Sequence, residues 1–205
     1  MRLGAAAKRG LDIAVAGVLL LLTAPLQAVV AIVVRCTLGA PVLFRQERPG
    51  RSGRLFVLTK FRTMRVGPGG VSSDEARMTV VGKWLRATSL DELPTLWNVL
   101  RGDMSLVGPR PLLEAYLDRY TPEQARRHEM RPGVTGLAQV SGRNNLPWER
   151  RLELDVAYVD RWSLWLDLTI LARTIRLVLT RVGVSAPGVS TNVEFRGAGP
   201  EGGGA

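Results

Sequence analysis

The sequence is short of the residues that most often build metal centres and cross-links. It contains one cysteine, Cys36, and one histidine, His128, among 205 residues. A single cysteine excludes an internal disulfide and a cysteine-based metal site, and it fits a reducing, cytosol-facing location. No second histidine is present to bind a metal ion together with His128. We therefore interpret His128 as a helix surface residue rather than a general base.

Acidic residues are also scarce. The chain has 18 Asp and Glu against 28 Lys and Arg, a formal net charge of +10 at pH 7. This excess indicates an anionic partner, which could be nucleic acid, an acidic membrane face or a phosphorylated substrate. With 46% hydrophobic and 22% charged residues, the composition is typical of a folded chain and not of a disordered one.

One long apolar run occupies residues 11–34, where Asp12 is the only charge. As a straight helix it would be about 36 Å long, enough to cross a hydrocarbon core of roughly 30 Å. Pro25, near its middle, should kink or break that helix. Basic residues flank both ends, and such residues prefer the cytoplasmic side. The pattern leaves open a re-entrant hairpin, which returns to the side it started from, and a kinked single-pass anchor.

The rest of the chain predicts an α+β fold that is mostly helical. Residues 41–64 read as a small β-hairpin, with strands at 42–44 and 55–58 separated by turn residues. A helix is predicted over residues 73–85, and Thr121, Pro122 and Gln124 form the start of another, with a capping box. We divide the chain into a membrane helix (1–35), a globular domain (36–182) and a flexible tail (183–205).

Residues 149–181 predict one or two amphipathic helices. Their apolar side chains recur at intervals of three or four: Trp162, Trp165, Leu168, Leu171 and Ile175. Tryptophans interspersed with arginines suit helices that lie in a membrane interface. A stripe that faces the protein core is the alternative.

Asp91 and Glu92 stand side by side in the stretch SLDELP. One interpretation is structural, because Ser89 and Glu92 have the spacing of a capping box and Asp91 would favour the positive end of a helix dipole. The other is catalytic, because adjacent helical residues point about 100° apart, so one acid could act on a substrate while its neighbour binds a metal.

Several basic residues cluster in the motifs around the acid pair, and some of them are flanked by glycines and prolines that fix the backbone. They are Lys60, Arg62, Arg86, Arg110, Arg131 and Arg143. Such a set is better explained as a phosphate cradle than as solvated charges. Phosphates combined with carboxylate oxygens imply Mg²⁺, which proteins usually bind through one or two carboxylates plus the substrate.

Four motifs in order resemble one known family. They are KFRTM (60–64), SLDELP (89–94), GDMSLVGPRP (102–111) and RPGVTG (131–136). Together with the proline-broken apolar run they resemble the bacterial sugar transferases, the monotopic phosphoglycosyl transferases, over about residues 7–180. The chain is similar to the minimal, single-domain form. One departure is Thr95, where many members have glutamine.

The resemblance implies an activity and a location. The reaction would transfer a sugar 1-phosphate from a UDP-sugar to a polyprenyl phosphate, release UMP and start glycoconjugate or exopolysaccharide synthesis at the cytosolic face of the inner membrane. The anchor would be a kinked helix that enters and leaves one leaflet, beside anionic lipid. A homodimer is possible. We expect no nucleic-acid partner, because the net charge is the only feature of the sequence that favours nucleic-acid binding.

The resemblance also assigns roles to residues. Asp91 would be the nucleophile and carry the phosphosugar, and Glu92 would bind Mg²⁺. Arg86, Arg110, Arg131 and Arg143 would contact phosphate or nucleotide, with Lys60 and Arg62 as weaker candidates. Asp103 is expected to brace its loop. No motif identifies the sugar.

Overall fold

The computed structural model describes residues 2–65, 77–142, 146–180 and 194–197. Within these residues the helices are α1 (Arg2–Leu38), α2 (Val80–Ala87), α3 (Thr95–Arg101), α4 (Pro122–Ala125), α5 (Leu137–Ser141), α6 (Trp148–Asp160) and α7 (Leu164–Thr180). Short 3₁₀ turns lie at Arg51–Gly53, Leu90–Glu92, Glu114–Arg119 and Arg126–Glu129. The strands are β1 (Leu43–Pro49), β2 (Leu55–Phe61), β3 (Ser105–Val107) and β4 (Gly133–Thr135). The predicted class, α+β and mostly helical, is confirmed.

The predicted β-hairpin is present and longer than expected. Strands β1 and β2 pair antiparallel, with Leu43 opposite Phe61 and Pro49 opposite Leu55. Because side chains alternate along a strand, one face of the hairpin carries Phe44 and Arg48 from β1 together with Lys60 from β2. This face supplies basic residues from two strands to one side of the domain.

A second, two-stranded sheet was not predicted. Strands β3 and β4 pair in parallel, with Ser105 opposite Gly133 and Val107 opposite Thr135. Each is only three residues long, too short to give a strand pattern in the sequence. The pairing places the GPRP motif, which follows β3, beside the RPGVTG motif, which contains β4.

Helix α1 is continuous through Pro25, so the expected break does not occur. Of the described helices, it is the one long and apolar enough to cross a membrane. Its middle projects from the protein, with Leu21 78% and Leu22 72% exposed. Near its start, Ala16 is buried in the main core with Val99 of α3, and near its end Val34 packs in a second cluster with Phe61 of β2.

Charged residues tie the start of α1 to the domain. Lys8 Nζ donates to Asp167 Oδ2 of α7 at 2.6 Å and to the Val107 carbonyl of β3 at 3.0 Å. Asp12 Oδ1 accepts from Ser105 Oγ and from the Leu106 N–H, both at 3.0 Å. Lys8, Asp12 and Asp167 are all buried. Lys8, one of the basic residues that precede the apolar run, is therefore part of the protein interior.

The predicted C-terminal stripe is divided between core and surface. On α7, Trp165 is 77% and Ile175 61% exposed, and Leu168 is exposed as well. Trp162 and Leu171 instead pack against the main core. The prediction that all five side chains form one stripe is therefore wrong, because some of them face the core and the others face outwards. The exposed members give α7 an apolar outer face, which favours the membrane-interface interpretation for those residues.

We expect Asp167→Asn to destabilise the protein strongly. Asp167 accepts from Lys8, from the Tyr158 hydroxyl at 2.6 Å and from Trp162 Nε1 at 3.2 Å. The amide would leave the Lys8 ammonium buried without a counter-charge, at a cost of about 3–5 kcal/mol. Denaturant or thermal unfolding in detergent would measure it.

The matched control is Glu153→Gln, which removes the pair between Arg150 and Glu153 whose side chains are 58% and 61% exposed. Its effect should stay below about 1 kcal/mol. Equal stability of the two variants would contradict a structural role for the buried pair.

Candidate active site

The segment that carries the acid pair is a 3₁₀ turn rather than a capped α-helix. Ser89 has left-handed backbone angles, φ 57° and ψ 18°, and its side chain makes no capping hydrogen bond with the described residues. The capping-box interpretation is therefore wrong, since Glu92 bonds to Arg110 instead. Left-handed angles cost a non-glycine residue about 1–2 kcal/mol. The acids thus follow a strained residue, which a merely structural helix start would not require.

Asp91 is buried, with only 5% of its surface exposed. Burial raises the pKa of its carboxyl to about 6, and the charge of Glu92 acts in the same direction. The positive charges of Lys60, Arg86 and Arg110 oppose this effect on the Asp91 pKa without cancelling it. A carboxylate whose charge is poorly stabilised loses that penalty when it bonds to an electrophile, so Asp91 is suited to act as a nucleophile.

Glu92 is more accessible than Asp91 and forms an ion pair with Arg110. Arg110 Nη2 lies 2.7 Å from Glu92 Oε1, with the two side chains 49% and 27% exposed. The charge of Glu92 raises the pKa of the Arg110 guanidinium. Because both partners reach solvent, a phosphate group could approach Arg110, and a cation could approach Glu92.

Lys60 and Arg86 complete the positive surroundings of Asp91. Burial lowers the pKa of the Lys60 ammonium, while the charge of Asp91 raises it. The ammonium lies 5.4 Å from the centre of the Phe44 ring. Arg86, in the last turn of α2, donates from Nε to Thr63 Oγ1 at 3.0 Å. The KFRTM motif therefore supplies one cation directly and helps to position another.

A cavity of about 330 Å³ opens beside the acid pair. Its volume is at the lower end of the usual range for small-molecule pockets, roughly 300–1,000 Å³. The wall contains charged, aromatic and aliphatic side chains: Arg48, Leu58, Lys60, Glu92, Thr95, Met104, Arg110, Pro111, Leu112, Leu113, Tyr116, Gly133, Val134 and Trp148. The cavity joins the hairpin, the acid turn, the GPRP segment and α6 in one site.

Close backbone packing fixes the segment that presents Arg110. A Cβ atom on Gly108 would lie 2.3 Å from the Arg131 carbonyl oxygen, and one on Gly133 only 2.1 Å from the Gly108 nitrogen. Only glycine allows this approach, because real Cβ atoms do not come so near. The two motifs are therefore glycine-rich where they touch, and their contact sets the direction of the Arg110 segment.

A buried ion pair holds the same segment from the other side. Arg127 Nη2 donates to the Arg110 carbonyl at 2.6 Å and to Asp155 Oδ2 at 2.7 Å. The Arg127 and Asp155 side chains are 2% and 5% exposed. Buried pairs with such additional hydrogen bonds act as geometric restraints. The position of the Arg110 guanidinium thus depends on residues outside the four motifs.

Other residues predicted for the site lie elsewhere. Arg62 donates to the carbonyls of Gly39 at 2.7 Å and Ala40 at 3.1 Å, so it caps the end of α1. Arg131 donates from Nε to the Gly102 carbonyl at 2.8 Å and does not line the cavity formed by the described residues. Arg143 lies outside the described residues.

Two residues given structural roles above can be compared directly with the structure. Asp103 accepts from Asn98 Nδ2 at 3.2 Å, which is the expected bracing contact. His128 is half-buried rather than on a helix surface, and its Nδ1 lies 3.2 Å from the Gly50 carbonyl oxygen. Burial lowers the pKa of His128 to about 4. The imidazole is therefore neutral at physiological pH.

The sequence interpretation missed Arg48, Tyr116 and Trp148, which all line the cavity. Arg48 was counted only as a basic residue after the apolar run. The hairpin register shows that it shares a face with Lys60, and strand alternation would have found it had the register been known. Tyr116 and Trp148 carry no such signal, because neither belongs to a motif.

The donor set around Glu92 fits the kind of site that Mg²⁺ prefers. In the described part of the chain, no group of three or more His, Cys, Asp or Glu side chains could form an all-protein metal site. Mg²⁺ often takes only one or two carboxylates and completes its shell with water and substrate phosphates. Glu92, with Asp91 beside it, offers carboxylates next to a cavity lined by Arg48, Lys60 and Arg110.

Comparison with known proteins agrees with this site. The family model described as bacterial sugar transferase matches residues 3–181. The uncharacterized sugar transferase EpsL of Bacillus subtilis is 50% identical over 195 residues, which cover 94% of this chain and 96% of that protein. The UDP-glucose:undecaprenyl-phosphate glucose-1-phosphate transferase of Caulobacter vibrioides is 45% identical over 84% of this chain and 70% of its own length.

A third relative adds a biological context. The exopolysaccharide production protein ExoY of Rhizobium meliloti is 39% identical over 196 residues, which cover 86% of this chain and 87% of that protein. The resemblance drawn from the four motifs is confirmed over nearly the whole chain.

We expect Asp91→Asn to stabilise the fold at high pH and to leave stability unchanged at low pH. The folded-state pKa of about 6 exceeds the ordinary value of 3.8, so the native state loses stability as pH rises from about 4 to 6, where the unfolded chain has released the Asp91 proton and the folded chain still holds it. The difference corresponds to roughly 3 kcal/mol. Unfolding curves between pH 4 and pH 8 would show the free energy of unfolding of the variant rising relative to that of the wild type as pH increases.

Asp118→Asn is the control, because Asp118 is exposed, and its effect should remain within about 0.5 kcal/mol at every pH. If Asp91→Asn were instead less stable than the wild type at pH 8, the surrounding cations would be stabilising the Asp91 carboxylate more than burial opposes it.

Proposed function

This chain belongs to the bacterial sugar transferase family, and we propose that it transfers a sugar 1-phosphate from a UDP-sugar to a polyprenyl phosphate such as undecaprenyl phosphate. The observation that carries the proposal is the buried Asp91 with its raised pKa, next to Glu92 and a cavity lined by Lys60 and Arg110. The Caulobacter relative is named for this reaction with UDP-glucose as donor and undecaprenyl phosphate as acceptor. A further relative, ExoY, is named as an exopolysaccharide production protein.

In the first half-reaction the Asp91 carboxylate attacks the phosphorus that carries the sugar. A bond forms between an Asp91 oxygen and this phosphorus, and the bond from the phosphorus to the bridging oxygen breaks. UMP leaves with the bridging oxygen and its electron pair. The product is a phosphosugar linked covalently to Asp91. Because no proton has to be removed from an ionised carboxylate, this step requires no histidine.

In the second half-reaction an oxygen of the lipid phosphate attacks the same phosphorus. The bond to Asp91 breaks, the carboxylate is restored, and a polyprenyl diphosphate sugar is released. Both steps bring an anion towards an anion, so positive groups must offset the repulsion. Arg110 and Lys60 lie at the cavity wall, and Arg86 acts electrostatically on Asp91 from α2.

Glu92 is the residue that would hold Mg²⁺. The ion would offset the negative charge of the diphosphate when bound. The Glu92 carboxylate now accepts from Arg110, so a substrate phosphate that draws Arg110 towards itself would release an oxygen of Glu92. This exchange couples donor binding to the formation of the cation site.

The contacts of α1 support a monotopic arrangement on the cytosolic face. The globular part contacts α1 up to Leu20 and again from Val30. Only residues 21–29 lie between these contacts, roughly 14 Å of helix, whereas a hydrocarbon core is about 30 Å thick. A simple span would drag the hairpin and α3 into the bilayer. A shallow helix that keeps both ends on one side would avoid this and place the site at the level of the lipid phosphate.

Basic residues near the end of α1 would attract anionic headgroups. Arg35 and Arg45 are exposed near the end of the helix, and each such residue contributes about 1 kcal/mol near an anionic leaflet. The exposed apolar face of α7 would lie in the interface.

Asp91→Asn should abolish both UMP release and formation of the lipid-linked product. The amide is a far weaker nucleophile than the carboxylate, and we expect turnover to fall by at least about 10³-fold. The assay combines radiolabelled UDP-sugars, undecaprenyl phosphate and Mg²⁺ with wild-type or variant protein. Omission of the lipid should trap labelled sugar phosphate on Asp91, detectable by mass spectrometry of the peptide.

Asp118→Asn serves again as control and should keep wild-type turnover. Near-normal turnover of Asp91→Asn would rule out the nucleophile, and failure of a full panel of UDP-sugars would rule out the donor class.

The two ends of the apolar run should be accessible from the same side of the membrane. Cys36 is the only cysteine and is exposed at one end, so it can be labelled directly. A Cys36→Ser variant that also carries Ala6→Cys would report on the other end, since Ala6 is exposed. A membrane-impermeant maleimide should label both cysteines in inverted vesicles and neither in intact spheroplasts. Labelling of the two positions from opposite sides would establish a spanning helix instead.

A further inference from the structure

Arg48 is a cavity residue whose hydrogen-bonding capacity is not used up. It lines the wall near Tyr116 and Trp148. Its Nη2 donates to Gln46 Oε1 at 2.6 Å, while its Nε is buried and has no acceptor among the described residues. A buried donor without a partner costs about 1–3 kcal/mol. A ligand that supplies an acceptor there would remove this cost.

The charges around Arg48 favour an anionic ligand. Burial lowers the pKa of the Arg48 guanidinium, and the positive charge of Arg110 acts in the same direction. Arg110 has the same effect on the pKa of Arg151. The nearby acids are engaged, because Glu92 pairs with Arg110 and Asp155 with Arg127. Arg48 and Arg110 both line this end of the cavity, and Arg110 repels Arg48 and the neighbouring Arg151, a repulsion that a phosphate would relieve.

Arg110 separates this cation cluster from the acid pair. Its charge acts on Asp91 and Lys60 on one side and on Arg48 and Arg151 on the other. Among the groups that shift the pKa of Arg48, the ionised side chain is that of Arg110. The cavity thus has an acidic end, where the phosphosugar would be transferred, and a basic end at Arg48.

Aromatic side chains form the wall of the basic end. Trp148 and Tyr116 meet edge to face with ring centres 5.7 Å apart, and the Arg151 guanidinium lies 4.8 Å from the Trp148 ring centre. Planar aromatic walls beside cations suit a ligand that combines a planar base with a phosphate. A lipid phosphate, with its flexible apolar chain, has no need of such a wall.

We propose that Arg48 binds the phosphate of the leaving nucleotide, with Trp148 and Tyr116 forming the wall beside its base. This inference rests on the proposed function. When Asp91 attacks, the bond to the bridging oxygen breaks and the UMP phosphate gains one negative charge. The Arg48 guanidinium would turn towards that phosphate so that Nε gains an acceptor, and Arg110 would lie between it and the transferred phosphate. Arg48 thereby favours departure of UMP as well as binding of the donor.

Binding of UMP to the full-length protein in detergent tests this assignment. Isothermal titration of wild type, Arg48→Gln and Arg48→Lys would use UMP and uridine as ligands. Loss of a charged hydrogen bond should weaken UMP binding by about tenfold or more, while uridine binding should change less than about twofold. Arg48→Lys retains the charge but not the Nε geometry and should weaken UMP binding by an intermediate factor.

Arg45→Gln is the matched control, because Arg45 lies on the same strand but is exposed and outside the cavity wall. It should bind UMP like the wild type. If Arg48→Gln fails to fold, the Arg48→Lys titration decides, and unchanged UMP affinity in either folded Arg48 variant would overturn the assignment. A wild-type protein that binds neither UMP nor a UDP-sugar would contradict the proposed function itself.

Discussion

One electrostatic constraint determines how the site is built. The Asp91 carboxylate must stay buried beside a second acid, and cations must surround both acids. Burial and Glu92 disfavour its charge, and Lys60, Arg86 and Arg110 favour it. The pKa of about 6 is the balance of these effects, so the carboxylate is ionised at neutral pH but weakly stabilised. Each cation comes from a different element: β2, α2 and the segment after β3. The fold places these three elements around the 3₁₀ turn that carries Asp91 and Glu92.

That arrangement is held by buried ionic contacts that take no part in chemistry. Lys8 and Asp167 fix the carbonyl of Val107, and Arg127 with Asp155 fixes the carbonyl of Arg110. The intervening residues are therefore restrained at both ends. Precise placement of a guanidinium usually requires such supporting contacts, because a flexible arginine loses side-chain entropy on binding phosphate. The membrane helix, through Lys8, contributes to this support as well as to anchoring.

Much of the fold could be read from the sequence where local chemistry decides the outcome. The hairpin followed from its turn residues, and the capping box at Thr121 is present as predicted. The capping box at Ser89 was wrong, because Arg110 competes for the Glu92 carboxylate through a contact between residues 18 positions apart. The contacts of Arg62 could not be foreseen for the same reason, since its guanidinium bonds to the Leu38 carbonyl at the end of a helix that precedes it by more than 20 residues. Local patterns do not contain such contacts, and neither do they contain the hairpin register that brings Arg48 to the cavity.

The contact between Lys8 and Asp167 also has a consequence for how the protein is assembled, because it joins residues 159 positions apart. A chain growing on the ribosome displays its apolar helix long before the residue that pairs with Lys8 has been synthesised. The apolar helix is therefore exposed before the globular part can close around its first turns. The contact that holds the Lys8 ammonium can form only after residue 167 has been synthesised, so docking of the first turns follows synthesis of nearly the whole domain.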